Sequence, residues 1–152
     1  MEHLLQRLQV TLLREIPITQ YLGIIVESYD DQQLILRAPL AQNINHKGTA
    51  FAGSLNALLT LAGWGQLWLI LAERNISGKI VIQDSSSNYL LPVHSDFSAI
   101  CYKPSPEHIA RVESTLKKYG KARIELYAEI RDDQELAVSF KGRYVVHLET
   151  EQ

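Results

Sequence analysis

From Gly48 to Ala72 the chain carries no charged side chain, and from Asn43 to Leu71 it carries no acidic one. A stretch this long and apolar must be hidden from water. About 20 mainly apolar residues suffice to cross a bilayer, so the segment passes a membrane test on length alone. Its contents argue against that use. Ser54, Asn56, Thr60 and Gln66 need hydrogen-bond partners once buried. Gly48, Gly53, Gly63 and Gly65 would weaken a helix facing lipid, and no cluster of Lys and Arg at the flanks sets an orientation. We therefore expect no membrane span, but a long helix enclosed by the rest of the fold.

A chain of 152 residues favours one domain, 1–152, with a sizeable core. With 46% apolar and 21% charged residues it has the balance of a globular protein. A net charge of −2 and no local basic run give no reason to expect nucleic acid as a partner. The single Cys101 excludes an internal disulfide, and the scattered His3, His94, His108 and His147 lack ligand spacing, so no metal site is expected. "MEHLLQRLQV" lacks a basic start followed by an apolar core, so a cytoplasmic location is expected.

Leu4, Leu5, Leu8, Leu12 and Ile16 share one face of an opening helix. "LGIIVESYDDQQLILRAPL" reads as a hairpin turning at Asp30 to Gln32, and "AQNINHKG" as a loop leading into the long helix. "GKIVIQDSSSNYLLPV" starts as a buried strand and becomes polar between Asp84 and Asn88. "SDFSAICYK" is another strand, with Phe97, Ala99 and Cys101 on one face. In "PSPEHIARVESTLKKYG", Ser105 caps a helix, Pro106 begins it and Gly120 ends it, while Ile109, Val112, Leu116 and Tyr119 form its stripe. Two long strands follow around Asp132 to Gln134. One face carries Ile124, Leu126, Ala128 and Ile130, the other Arg123, Glu125, Glu129 and Arg131. The order predicts an α+β fold in which a curved antiparallel β-sheet wraps a long central helix.

On the long helix, Gly53, Asn56, Thr60 and Gly63 recur at spacings of three and four. They either border a ligand tunnel or subunit contact, or satisfy neighbouring backbone and admit a close strand. Ser85 and Ser87 point away from Asp84, Ser86 and Asn88, so one set faces the helix. These polar residues serve either a site or a hydrogen-bonded contact. Trp64 and Trp68, one turn apart, are expected in core or oligomer packing.

"NINHKGTAFAGSLNALLTLAGW" followed by "IQDSSSNYLLPV" resembles the hotdog-fold thioesterases, which show an Asn, a Gly-Thr, a His-Gly-Gly helix start and a later Tyr-x-x-Pro. More closely, the chain is similar to the thioesterase-like domain at the C-terminus of some bacterial acetyltransferases, the YiiD type, over nearly its whole length. The resemblance implies a hotdog fold and hydrolysis of an acyl thioester on coenzyme A or acyl carrier protein. That carrier is part of the substrate, and no separate cofactor is expected. It also implies homodimers, possibly paired as tetramers, with active sites between subunits.

Residue by residue, Asn45 matches the loop Asn that holds substrate or water, and Gly53 the second Gly of His-Gly-Gly, whose N–H binds the thioester oxygen. Thr60 stands where many relatives carry a carboxylate, and Phe51 where they carry His. A hydroxyl does not ionise at neutral pH, so Thr60 is expected to position water, with Asn56 sharing that task. His46 is a possible acid or base by its own chemistry. Gly48, Phe51, Ser54, Ser85, Ser86, Ser87 and Asn88 complete the expected substrate-binding set. The missing carboxylate leaves a second reading, a noncatalytic acyl-CoA binding or regulatory domain. A dehydratase would need a loop His and a helix acid; only His46 is present.

Overall fold

Ten elements account for the described residues, 1–149, of the computed structural model. In chain order they are α1 (Glu2–Glu15), α2 (Ile18–Leu22), β1 (Ile25–Tyr29), β2 (Gln33–Ala38), α3 (Ala52–Glu73), β3 (Gly78–Tyr89), β4 (Phe97–Tyr102), α4 (Pro106–Tyr119), β5 (Lys121–Asp132) and β6 (Glu135–Leu148). The strands form one sheet in the order β1-β2-β4-β5-β6-β3, and every paired neighbour is antiparallel. The sheet curves around α3, which is the hotdog fold expected from the sequence. α3 is long and apolar enough to cross a membrane, yet most of it is buried inside the protein.

Alternation decides which side of each strand meets α3. Leu34, Leu36 and Ala38 on β2, Phe97, Ala99 and Cys101 on β4, and Ile124, Leu126, Ala128 and Ile130 on β5 are all buried. Their intervening neighbours form the wet face, where Arg143 reaches Asp84 at 3.5 Å and Glu125 at 3.6 Å. The two hairpin turns use different chemistry. At the first, Asp30 Oδ1 accepts from the backbone N–H of Gln32 and Gln33. At the second, Asp133 and Gln134 adopt left-handed backbone without a glycine. The α4 boundaries follow the expected chemistry: Ser105 Oγ accepts from the His108 N–H, Pro106 opens the helix, and Gly120 ends it in the left-handed region.

Three sequence expectations need correction. The short α2 was not anticipated; it closes after Pro17, with Thr19 buried and its hydroxyl donating to the Leu12 carbonyl at 2.9 Å. Tyr119, placed on the apolar stripe of α4, is 70% exposed, because the helix meets the sheet through Ile109 and Leu116. The larger correction concerns β3. Expected to be buried at its start, it is an edge strand, with only Ile80 buried along its length. Its apolar start reflects what lies beside an unpaired edge rather than a core position.

The polar atoms of α3 are held by the sheet around it. Gln66 Nε2 donates to the Cys101 carbonyl at 3.1 Å, and the Tyr144 hydroxyl donates to the Thr60 carbonyl at 2.7 Å. Tyr144 reaches that carbonyl only because Gly63 lacks a side chain, since a Cβ there would fall on the phenol ring and its oxygen. Gly63→Ala would ordinarily stabilise a helix by about 1 kcal/mol. Here it is expected to destabilise by about 1–3 kcal/mol through overpacking, read from the urea midpoint.

Burial also pushes the Cys101 thiol up from 9.0 to about 12. It raises the phenols of Tyr29 and Tyr144 above their ordinary 10.0, helped at Tyr29 by its hydrogen bond to Glu73. The unfolded chain therefore releases these protons first as pH rises. Stability from these groups is full below pH 9, then falls as the unfolded thiol and phenols ionise near 9 and 10. Urea titrations are expected to show a flat midpoint from pH 7 to 8.5 and a steady fall above it.

Candidate functional site

α3 begins at the surface. Phe51 occupies its N-cap, and the Phe51 carbonyl accepts from the N–H groups of Ser54 and Leu55 at 3.0 and 3.1 Å. The N–H groups of Ala52 and Gly53 have no partner among the described residues. Both residues are exposed, so two adjacent donors face outward at the positive end of the helix dipole. The Phe51 ring, 55% exposed, lies against Gly53, where a Cβ would collide with it. Ala52 was not singled out in the sequence, because a backbone donor leaves no mark on residue type.

Beyond the first turn, α3 is buried except along one row. Asn56, Thr60, Trp64, Trp68 and Ala72 are half-exposed at successive spacings of four, joined by Ala57 and, at the helix end, by the exposed Glu73. This row follows the inner face of β3. Ser87 Oγ donates to Asn56 Oδ1 at 2.8 Å, and farther along Trp64 Nε1 donates to the Ile80 carbonyl at 3.3 Å. Ser85 shares the inner face with Ser87, because they pair with Gly142 and Phe140 on β6. Ser86 and Asn88 lie on the opposite face, where Asn88 Nδ2 donates to Ser139 Oγ at 3.4 Å. The expected site set is therefore divided: Gly53, Asn56, Thr60, Ser85 and Ser87 gather along one seam, while Ser86 and Asn88 are turned from it. Gly63, grouped with Asn56 and Thr60 by spacing, turns inward under Tyr144.

The loop before α3 is braced by Asn45. Its Oδ1 accepts from the N–H of Lys47 at 2.8 Å and of Thr49 at 3.2 Å, while Nδ2 donates to Thr49 Oγ1 at 2.8 Å and the Ala50 carbonyl at 3.5 Å. Both donors and the acceptor of this side chain are committed to its own loop. Gly48 is required by the same turn, with φ +79°. His46 is exposed beside it, and Ser54 is buried at the helix start. No ionisable side chain hydrogen-bonds to the side chains of Asn45, Asn56, Thr60 or Ser87 among the described residues. Cys101, fully buried with a raised thiol pKa, is held as a thiol rather than a nucleophile. No three or more His, Cys, Asp or Glu side chains converge as metal ligands among the described residues.

Chemically, the seam offers hydrogen-bond donors fixed before reaction and neutral groups able to hold water, but no resident carboxylate. Because Asn45 braces the backbone that leads into Phe51, Asn45→Ala is expected to destabilise the protein by about 1–3 kcal/mol. The urea midpoint measures that loss separately from any effect on activity.

The comparisons bear on the family and the fold. A family model described as "Putative thioesterase (yiiD_Cterm)" matches residues 5–148. The structure of a "putative thioesterase" from Shewanella oneidensis is 36% identical, with TM-score 0.89, covering 98% of this chain and 100% of that one. A protein of unknown function from Chlorobaculum tepidum is also 36% identical, with TM-score 0.92 and coverage of 95% and 94%. A "probable thioesterase" from Pseudomonas aeruginosa, at 22% identity, TM-score 0.79 and 95% coverage of each chain, shares the fold. The chain belongs to the thioesterase family that this model describes, the YiiD C-terminal type.

Proposed function

We propose that the protein hydrolyses an acyl thioester carried on coenzyme A or acyl carrier protein. The observation that carries this reading is the pair of unpartnered N–H groups at Ala52 and Gly53, opening beside Asn56, Thr60 and Ser87. A thioester carbonyl gains negative charge on oxygen when water attacks its carbon, and donors fixed in advance stabilise that charge most. The carbonyl oxygen sits on the two N–H groups. Asn56 and Thr60 hold the water, with Ser87 fixing the Asn56 amide. Phe51 covers the reacting carbon from solvent.

The tetrahedral intermediate then expels sulfur, leaving a carboxylate and a thiol. A thiol has a pKa near 8.5, so sulfur departs as thiolate without a strong acid beside it. That lowers the demand on the site and suits a seam without a carboxylate. The water's proton is taken by His46 on the adjoining loop. Asn45 holds that loop in place.

Two copies pair along β3. A bare edge strand of 12 residues is a template for another strand, and it carries the exposed Val81 and Tyr89. Pairing there brings the seams of both copies together on the inner side of one continuous sheet.

A second reading, a domain that binds acyl-CoA without turnover, draws on the Asn45 side chain being committed to its own loop and on the absence of a carboxylate beside Thr60. Hydrolysis of an acyl-CoA and acyl carrier protein panel decides between them. Wild-type turnover is expected, with Thr60→Ala and Asn56→Ala each lowering kcat/KM about 10²-fold, in the range of a lost proton-transfer or positioning group. Equal turnover in all three proteins would overturn the roles given to Asn56 and Thr60, and tight binding without turnover would overturn the hydrolase reading and establish the second.

A further inference from the structure

The outer face of the sheet, turned away from α3, carries its charges in rows set by strand register. One row is Glu125 on β5, Arg143 on β6 and Asp84 on β3. It runs acid, base, acid, and Arg143 reaches the two carboxylates at 3.6 and 3.5 Å. Opposite charges across strands stabilise a sheet, whereas like charges destabilise it. Farther along the same three strands, the row Lys121, His147 and Lys79 breaks that pattern, for every position in it is basic. Between the two rows, Arg123 pairs in register with Val145 and adds a third full charge to the same face. All four basic residues are exposed. Among the described residues none of Lys79, Lys121 and Arg123 makes an ion pair; Glu125 is held by Arg143, and Glu149, two residues past His147, pairs with none of them.

We propose that Lys79, Lys121, Arg123 and His147 form a binding site for a ligand bearing two linked phosphates. Neighbouring strands lie about 4.8 Å apart, so the backbones at Lys79 and Lys121 stand about 10 Å from each other with His147 between them. Arg123 follows roughly 7 Å along β5. One phosphate is too small to meet both lysines and the arginine at hydrogen-bond distance, whereas a diphosphate presents two anionic groups to the cluster. Arg123 supplies a planar two-pronged contact, and the lysines supply point charges on flexible stems. His147 donates a ring N–H in either neutral tautomer, so it serves a phosphate oxygen without carrying charge. A depression of about 340 Å³, lined by His108, Arg123, Ile124, Glu125 and Arg143, adjoins the cluster at Arg123 and leaves room for whatever the diphosphate carries. The site lies on the opposite face of the sheet from Ser87, so it does not rest on the hydrolysis proposed above.

The test titrates the protein, in buffer free of phosphate, with inorganic phosphate, inorganic pyrophosphate and ADP, and reads binding by calorimetry. Pyrophosphate is expected to bind about tenfold tighter than phosphate or better, with an affinity that falls as salt rises. Lys79→Ala, Lys121→Ala and Arg123→Ala are each expected to weaken pyrophosphate about tenfold. Lys121→Arg keeps the charge and is expected to keep the binding. Lys117→Ala is the control expected to change nothing, because that lysine is paired with Glu113 at 2.9 Å on α4. These side chains are all exposed, so the variants are expected to fold. A bound anion stabilises the folded chain, so pyrophosphate is expected to raise the urea midpoint of the wild type and to raise it far less in the three alanine variants. ADP binding as tightly as pyrophosphate would support the site and identify its ligand as a nucleotide; ADP binding much more weakly would support it as a site for the free diphosphate. Equal affinity for phosphate and pyrophosphate, no binding of either, or pyrophosphate binding untouched by the three alanine variants would overturn the proposal. So would attachment to vesicles of anionic phospholipid without affinity for pyrophosphate, which would assign the face to a membrane surface. Thioester turnover, present or absent, leaves each of these results unchanged.

Discussion

The structure depends on enclosing a helix that carries no charge from its N-cap to its last turn. Such a helix is stable only if nearly every side is covered by apolar atoms and each polar group on it is paired. The curved sheet meets both conditions. Leu55, Leu58, Leu59 and Ala62 bury against it, and backbone or side-chain partners on β3, β4 and β6 take up Trp64, Gln66 and the Thr60 carbonyl. Small residues decide how closely this can be done, since a side chain at Gly63 or Gly142 would meet the Tyr144 ring. Among the described residues the Gln66 side-chain carbonyl is the exception, buried without a partner.

Enclosure is incomplete along one row, and function is argued from that gap. Six strands wrap α3 until β3, where the sheet stops at an unpaired edge. The row of α3 beside that edge stays half-open from Asn56 to Ala72. Residues there are free of the packing rule that governs the rest of the helix. Polar ones stand near the N-terminal donors, and aromatic ones stand farther along.

Much of the fold was legible because two periods dominate the sequence. Alternation in Phe97, Ala99 and Cys101 and in Ile124 to Ile130 placed those strands with their buried faces correctly, and Ser105, Pro106 and Gly120 marked α4 by local chemistry. β3 was misjudged, because an apolar run reads alike whether it is covered by the same chain or left at an edge. The candidate site was partly legible. Spacing joined Asn56 to Thr60, but it also joined Gly63, whose small size serves Tyr144, a residue far along the sequence on β6. Alternation separated Ser85 and Ser87 from Ser86 and Asn88 without showing which pair met the helix. The Ala52 N–H and the half-open row at Trp64 and Trp68 depend on backbone pairing and on the edge of a sheet, which no single residue type records.

A seam that lacks a carboxylate narrows the ways thioester chemistry can proceed. In the proposed hydrolysis Thr60 and Asn56 would hold water without taking its proton at neutral pH, and the free donors of the helix start would carry most of the catalytic demand. Their role is tested most directly by a structure of the protein with an analogue in which a ketone replaces the thioester. The account predicts the ketone oxygen at about 2.7–3.1 Å from the backbone nitrogens of Ala52 and Gly53, with the adjoining chain beside Thr60. A ketone bound elsewhere, with both N–H groups still unpaired, would contradict it.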